Sequence, residues 1–317
     1  MAMTQQLISL DGTTIQDIEA LLAEAAAIRD GQYDISRLMA GRVLCPVFFQ
    51  DSSRTFINST SGFIRMGGSV LPLNVANTRI GSAWSEPIRD FCTLLNATCD
   101  VAIIRTGDAE AMFEFANHLS IPFINAGNGI GKGSEHPMQA LIDLFTIRDI
   151  FGPRRLKILM IGGIHVRTTR TQFKLFRRVG HEIDIIAPAV SVANDDMDLV
   201  YTSARFLDDV REVDLSSYDI IYHNGMDEDP TVSSSARYNL NKDLLVSNGF
   251  RGKVMHSLPR LGELSTDIDD SEFNIYFHQM RLARFVFQSC FDCILTDAGA
   301  GSASDWKGGS HELEIHH

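Results

Sequence analysis

Arg42-Val43-Leu44-Cys45-Pro46-Val47-Phe48-Phe49-Gln50-Asp51-Ser52-Ser53-Arg54-Thr55 is the stretch on which the fold of this chain turns. Arg42–Phe49 is an apolar run of strand length that passes straight into a Ser-Ser-Arg-Thr turn, with a helix expected over Phe56–Met66. A run that stays apolar without alternating is buried on both faces, as strands are in parallel sheets covered by helices. The turn gathers backbone N–H groups, three hydroxyls and a guanidinium at the positive end of a helix dipole. Such a place holds a phosphate or another compact oxyanion.

The same strand–turn–helix unit recurs along nearly the whole chain. In the first half the expected strands are Val43–Phe49, Ser69–Leu73, Val101–Arg105 and Pro122–Asn125, and the expected helices Ile15–Arg29, Pro87–Leu95 and Ala109–His118. Thr14 is placed to cap the first of these helices, with Asp17 in its first turn. The second half offers strands Lys157–Ile161, Glu182–Ile186, Ile220–Tyr222 and Lys253–His256, separated by helical stretches such as Thr168–Val179. Between the halves a long helix, Pro137–Phe151, ends at Gly152-Pro153, a strong stop. The reading is an α/β protein of two doubly wound parallel-sheet domains joined by that helix, with a C-terminal helix, Phe277–Leu295, packing back across both. The domain limits are 1–152 and 153–296, and residues 297–317 form a tail that carries no fold argument. Ligands of open parallel sheets bind at the carboxyl ends of strands, so a cleft between the domains is the expected site.

Composition narrows the function classes. A chain of 317 residues with 44% hydrophobic and 21% charged residues is a soluble globular protein. Its formal net charge of −12 argues against a nucleic-acid or anionic-membrane surface, so any arginine facing an anion must act locally. No segment approaches the ~20 apolar residues of a membrane span, and the N-terminus lacks the layout of a secretion signal. Five cysteines (Cys45, Cys92, Cys99, Cys290 and Cys293) sit mostly in apolar runs. Nothing completes Cys290-x-x-Cys293 as a redox or zinc motif, so buried thiols on a helix, in a reducing cytoplasmic setting, fit best.

Several strand ends carry candidate chemistry. Arg105 closes Val101–Ile104 and is either a solvated cap or an inward ligand. His136-Pro137-Met138-Gln139 opens the long helix after the glycine-rich run Asn125-Ala126-Gly127-Asn128-Gly129. Pro137 fixes the helix start, and His136 and Gln139, three residues apart, can share one side of its mouth. Gly162-Gly163 lacks the third glycine and the acidic partner of a dinucleotide turn. The same loop carries Arg167, Thr168, Arg170 and Thr171, better suited to a carboxylate. Finally, His256-Ser257-Leu258-Pro259-Arg260 closes a strand and leaves backbone carbonyls able to accept from an amide NH2.

Together these pieces resemble the aspartate/ornithine carbamoyltransferase family, in the family's order of motifs, over roughly residues 10–296. Ser52-Ser53-Arg54-Thr55 resembles its carbamoyl-phosphate loop, Ile104-Arg105 its strand-end arginine, and Asn125-Ala126-Gly127 through His136-Pro137-Met138-Gln139 its "NAG…HPTQ" segment, with a few residues inserted at Ile130–Ser134. Arg167-Thr168 and His256-Ser257-Leu258-Pro259-Arg260 resemble the Arg-Thr and "HPLPR" motifs of the family's second domain.

The resemblance implies that Ser52, Ser53, Arg54 and Thr55 hold the phosphate, and that Thr55, Arg105 and His136 surround the carbonyl oxygen. Gln139 and the carbonyls of Leu258 and Pro259 would orient the carbamoyl NH2. The catalytic set is thus Arg54, Thr55, Arg105 and His136, and neither a metal nor an organic cofactor is called for. It also implies a homotrimer with shared active sites, in which Trp84 reaches a neighbour's carbamoyl phosphate from a stretch, Asn77–Glu86, that lacks the family's lysine.

Other departures concern the acceptor. His223-Asn224-Gly225-Met226-Asp227-Glu228-Asp229 puts Gly225 where the aspartate enzymes have a clamping arginine, and an acidic run follows. Phe56-Ile57-Asn58-Ser59-Thr60 lacks the Arg and Glu that the family usually has after the loop. The acceptor-binding residues expected are Arg167, Asp227 and Leu258, and the acceptor an amino acid other than aspartate, such as a diamino acid. Two alternatives stay open: an aspartate carbamoyltransferase with a remodelled clamp, and a non-catalytic paralogue with a structural or regulatory role.

Overall fold

A computed structural model describes residues 6–73, 86–130, 133–163, 165–187, 204–225 and 236–300. Along them run β1 (Gln6–Leu7), α1 (Ile15–Arg29), β2 (Val43–Phe48), α2 (Ser53–Arg65), β3 (Ser69–Val70), α3 (Ile88–Thr98), β4 (Val101–Thr106), α4 (Ala109–His118), β5 (Phe123–Asn128) and α5 (Pro137–Phe151). The second half continues with β6 (Lys157–Ile161), α6 (Arg167–Arg178), β7 (Glu182–Ile186), β8 (Arg205–Leu207), β9 (Ile220–His223), α7 (Lys242–Ser247), β10 (Lys253–His256) and α8 (Tyr276–Ala300).

The strands form two five-stranded sheets, ordered β1-β5-β4-β2-β3 and β10-β9-β6-β7-β8, and every pairing is parallel. From β2 in the first sheet and from β6 in the second, the chain winds outward to one edge and then returns to the other side of that strand. The order therefore reverses between β2 and β4 in the first sheet, and between β6 and β9 in the second. At such a switch point the loops leave in opposite directions and open a crevice. The α/β fold with two doubly wound parallel sheets is the one expected.

Local chemistry explains most element bounds. Thr14 caps α1 by accepting from the Asp17 N–H (3.1 Å). Gly152, at φ +69°, stops α5 where a side chain would be strained. Pro46 sits inside a central strand, where a missing N–H usually costs a ladder bond. It is tolerated because β3 pairs only with Val43 and Leu44, so the side of β2 that Pro46 faces has already lost its neighbour. α2 begins at Ser53, three residues ahead of the expected Phe56, with extended Ser52 as its N-cap. The anion-binding turn is thus itself the first turn of the helix. β1, β8 and α7 were not expected; they are two, three and six residues long, too short to print a period.

α5 is buried on nearly all sides between Pro137 and Ile147. α8 packs against α1 and α2 of the first half and against α5 and β10. It extends past Leu295 to Ala300. One apolar core joins the halves without a break: Leu21, Phe63 and Ile103 belong to the same cluster as Ile158, Phe173 and Phe287. Cys290 is buried in α8, with Cys293 one turn on, and neither is in a disulfide. No helix among the described residues is long and apolar enough to cross a membrane.

Candidate active site

The two switch points face one another across a cleft of ≈ 290 Å³. Ser52, Arg54 and Thr55 reach it from the start of α2, Arg105 from β4, and His136 and Gln139 from the start of α5. Arg167, Thr168 and Asn224 come from the second sheet's switch point, and His256, Ser257, Leu258 and Pro259 from the end of β10. Ser53, the first residue of α2, is exposed and is not among the lining residues. Trp84 and Asp227 lie outside the described residues, as do 301–317 of the tail.

The mouth of α2 is open to an anion. Ser52 makes no side-chain cap bond, and its hydroxyl donates instead to Thr55 Oγ1 (2.9 Å). No acidic residue occupies the first turn, so its free N–H groups and dipole are uncompensated. Arg54 spans the cleft and donates from Nη2 to the Leu258 carbonyl (2.5 Å). Arg105 donates from Nη1 to the Ala126 carbonyl (3.0 Å), while its Nε is buried without a partner among the described residues. Burial, then the Arg167 and Arg54 charges, push the Arg105 guanidinium down to about 9. Arg54 and Arg167 are lowered by burial as well. Three crowded, half-dehydrated cations are costly until a compact anion joins them.

His136 is the N-cap of α5, and its Nδ1 accepts the Gln139 N–H (3.3 Å). With Nδ1 occupied as an acceptor, the proton of the neutral ring sits on Nε2. Burial, with Arg105 and Arg167 nearby, holds the ring's pKa well below 6.5, so it stays neutral at physiological pH. Arg105 Nη1 lies 3.4 Å from that Nε2. Two donors facing each other this closely need an oxygen to share. Gly127, at φ +113°, makes the approach possible: a Cβ there would stand 3.0 Å from Arg167 Nε and 3.1 Å from both Arg105 Nη1 and His136 Cδ2.

Arg167 crosses to the first half, donating from Nη1 to Gln50 Oε1 (2.9 Å) and to the carbonyls of Gly129 (3.1 Å) and Thr106 (3.4 Å). On the far wall, Leu258 takes a left-handed conformation (φ +54°) and its N–H is held by His256 Nδ1 (2.7 Å). His256 Nε2 in turn donates to buried Glu263 (2.8 Å), whose carboxyl is drawn down to about 2 against the cost of its burial by the His256 bond and the Leu261 N–H.

Among the described residues, His223, His256 and Glu263 bring ligand-type atoms within 4.8 Å of one another. Metal ligation does not fit their chemistry. Each histidine uses Nδ1 to accept a backbone N–H, from Gly225 and Leu258 respectively, so each Nε2 must keep its proton. The histidines hold two substrate-facing loops instead.

Sequence motifs supplied most of this lining, but Asn58 and Gln279 had been given no role, nor had Gln50, which accepts from Arg167. Gln279 left a signal: it is a polar residue on the buried face of α8.

The geometry agrees with what the chain is similar to. A family model described as "Aspartate/ornithine carbamoyltransferase, carbamoyl-P binding domain" matches residues 5–149. The aspartate carbamoyltransferase catalytic subunit of Archaeoglobus fulgidus is 29% identical over 287 residues, covering 87% of this chain and 94% of its own. Catalytic subunit 2 of the Shewanella halifaxensis enzyme is 25% identical over 308 residues, covering 92% and 96%. Among solved structures, aspartate transcarbamoylase from Trypanosoma cruzi in complex with carbamoyl phosphate and aspartate superposes with a TM-score of 0.77. It is 28% identical, over 90% of this chain and 94% of that one.

Proposed function

The chain belongs to the aspartate/ornithine carbamoyltransferase family, and we propose that it transfers the carbamoyl group of carbamoyl phosphate to the amine of an amino acid, with aspartate the favoured acceptor. Residues 1–152 form the carbamoyl-phosphate-binding domain in this reading, and 153–296 the acceptor domain.

The phosphate sits at the mouth of α2, on its N–H groups, the Ser52 and Thr55 hydroxyls and Arg54. The carbonyl oxygen takes the place between Arg105 Nη1 and His136 Nε2, and their 3.4 Å approach is the observation that carries the reading. As the amine nitrogen bonds to the carbonyl carbon, charge gathers on that oxygen between a cation and a neutral N–H donor. A preorganised donor of this kind is worth roughly 3–4 kcal/mol. The C–O bond to phosphorus-bound oxygen then breaks, the electron pair leaves with phosphate, and the departing phosphate accepts the proton of the new C–N nitrogen. Gln139 Oε1 and the Leu258 and Pro259 carbonyls orient the carbamoyl NH2. Arg167 receives the acceptor's α-carboxylate.

Aspartate is favoured over the diamino acid expected from residues 223–229 because relatives aligned across nearly the whole chain are named for aspartate. A second reading, a non-aspartate acceptor, is kept by Gly225, where the family's clamping arginine would stand. Phosphate release and product mass with carbamoyl phosphate and a panel of amines decide between them. Turnover with aspartate alone supports the first reading, and turnover with a diamino acid but not aspartate the second. Absence of both turnover and calorimetric carbamoyl-phosphate binding would leave the non-catalytic paralogue.

We also infer a homotrimer in which Trp84 serves a neighbour's site. Ile57, Ile64 and Leu71, 60%, 56% and 49% exposed in the single chain, offer apolar surface for such contact, and sedimentation velocity reads the assembly.

A further inference from the structure

Behind the cleft, on α5, lies a wholly enclosed carboxylate, Asp143. Four donors converge on it. Oδ1 accepts from Gln139 Nε2 (2.8 Å) on α5 and from Gln279 Nε2 (2.5 Å) on α8. Oδ2 accepts from Gln172 Nε2 (2.6 Å) on α6 and from the Tyr222 hydroxyl (3.0 Å) on β9. Gln279 Nε2 also approaches the Tyr222 oxygen (3.0 Å), which leaves that hydroxyl's proton for Asp143. Burial pushes the Asp143 carboxyl up to about 7, and the four hydrogen bonds work against that rise. A protonated carboxyl would bring a fifth donor to a place where four already meet, so the geometry favours the acceptor form.

A carboxylate only accepts, so every amide touching it must turn its NH2 inward and its carbonyl oxygen away. The constraint propagates. Gln172 presents Oε1 to Asn224 and accepts from its Nδ2 (2.7 Å). Asn224, whose NH2 is thereby committed, must turn Oδ1 elsewhere. That oxygen is buried and has no hydrogen-bond partner among the described residues, on a residue that lines the cleft with Arg167 and Thr168. Leaving such an acceptor unpaired is expensive, and an incoming N–H removes the cost. Gln139, held by the same carboxylate, also lines the cleft.

We propose that Asp143 is a positioning residue that sets the polarity of the chain Asp143–Gln172–Asn224, and that Asn224 Oδ1 accepts an N–H of the attacking amine. The branch through Gln139 presents Oε1 to the carbamoyl NH2, so one buried anion orients both reacting nitrogens. An amide oxygen suits the attacking amine better than a carboxylate would. A carboxylate favours the ammonium form, which has no lone pair to attack with, whereas an amide oxygen takes an N–H and leaves the lone pair free for carbon. The assignment rests on the carbamoyl-transfer reading.

The test uses the full chain with three variants: Asn224→Ala, Gln172→Met and the double substitution. Gln172→Met keeps the length of the side chain and removes both of its hydrogen bonds. Each single variant raises KM for the acceptor about 10-fold, the equivalent of one hydrogen bond. Binding of inorganic phosphate, measured by calorimetry, stays within about 2-fold. The double variant is no worse than either single one, because the two residues act as a unit. Additive penalties, as two independently supporting residues would give, overturn the relay. So does an unchanged acceptor KM in Asn224→Ala when the wild type is active. A wild-type protein with no turnover would instead remove the carbamoyl-transfer reading, and the role of Asn224 with it.

Discussion

At the first switch point the cleft is lined by Arg54, Arg105 and a neutral His136; at the second, by Arg167, Thr168 and Asn224. The topology is the same, and the chemistry divides. A phosphate dianion and a developing oxyanion need fixed cations and donors, so the first half invests in charge held under partial dehydration. An amine needs acceptors that do not protonate it, so the second half relies on neutral amides whose direction is imposed from behind. The glycines tell the same story. Gly127 has three side chains within 3.1 Å of a would-be Cβ, while among the described residues Gly225 has Glu263 Oε1 alone, at 3.9 Å. Of these two glycines, the one in the first half is the more closely fitted.

Charge removal gives the largest effect that tests this division. Arg105→Ala lowers kcat about 1000-fold, as expected for one preorganised donor at an oxyanion, with little change in acceptor KM. Arg167→Ala shifts the acceptor KM instead, and steady-state kinetics in both substrates separates the two. An Arg105→Ala variant that raised only the acceptor KM would erase the distinction between the halves. Next in size, Gly127→Ala lowers kcat/KM for carbamoyl phosphate about 100-fold by pushing the Arg105 and His136 donors apart, a loss of roughly 3 kcal/mol. Gly225→Ala, at φ +79°, carries backbone strain of about 1 kcal/mol in stability but leaves that kcat/KM within about 3-fold. Equal losses would mean that the second half is fitted as closely as the first.

The smallest effect is one the halves share. Burial, with Arg105 and Arg167 nearby, holds His136 well below 6.5. His223 is pushed down to about 4 by burial and by His256, and His181 to about 4 by burial and by Arg148. Between about 6.5 and 4 the unfolded chain takes protons that the folded chain refuses. The stability these rings contribute is therefore complete above pH 6.5 and is lost as pH falls towards 4, at up to about 1.4 kcal/mol per pH unit for each ring. Urea unfolding at pH 7.5 and 5.5 measures the slope. His181→Gln should flatten it, and an unchanged slope would sink the assignment for that ring.

How much of this was legible in the sequence follows from how each part is built. α4, α5, β6, β7 and β10 match their expected bounds to the residue, because apolar runs ending at capping residues print both their period and their stops. The first half of the site was legible too, since arginine and histidine at strand ends carry their chemistry in their identity. The Asp143 relay was not. Gln172, Tyr222 and Gln279 belong to α6, β9 and α8, distant in sequence, and an amide has no direction until it meets its neighbours. The early start of α2 escaped for a related reason: Ser52–Thr55 reads equally well as a loop and as a capped first turn.

The closing helix has a consequence for how the molecule comes to exist. α8 is the last of the described elements in chain order, yet it covers α1 and α2 and completes the apolar core of the first half. A nascent chain that has finished both sheets still lacks the wall against which Phe63 packs, which is Phe291, with the rings 5.0 Å apart. The amino-terminal sheet must wait, partly uncovered, until the ribosome has delivered α8. The first half is thereby completed by a helix that the chain makes only after the second half.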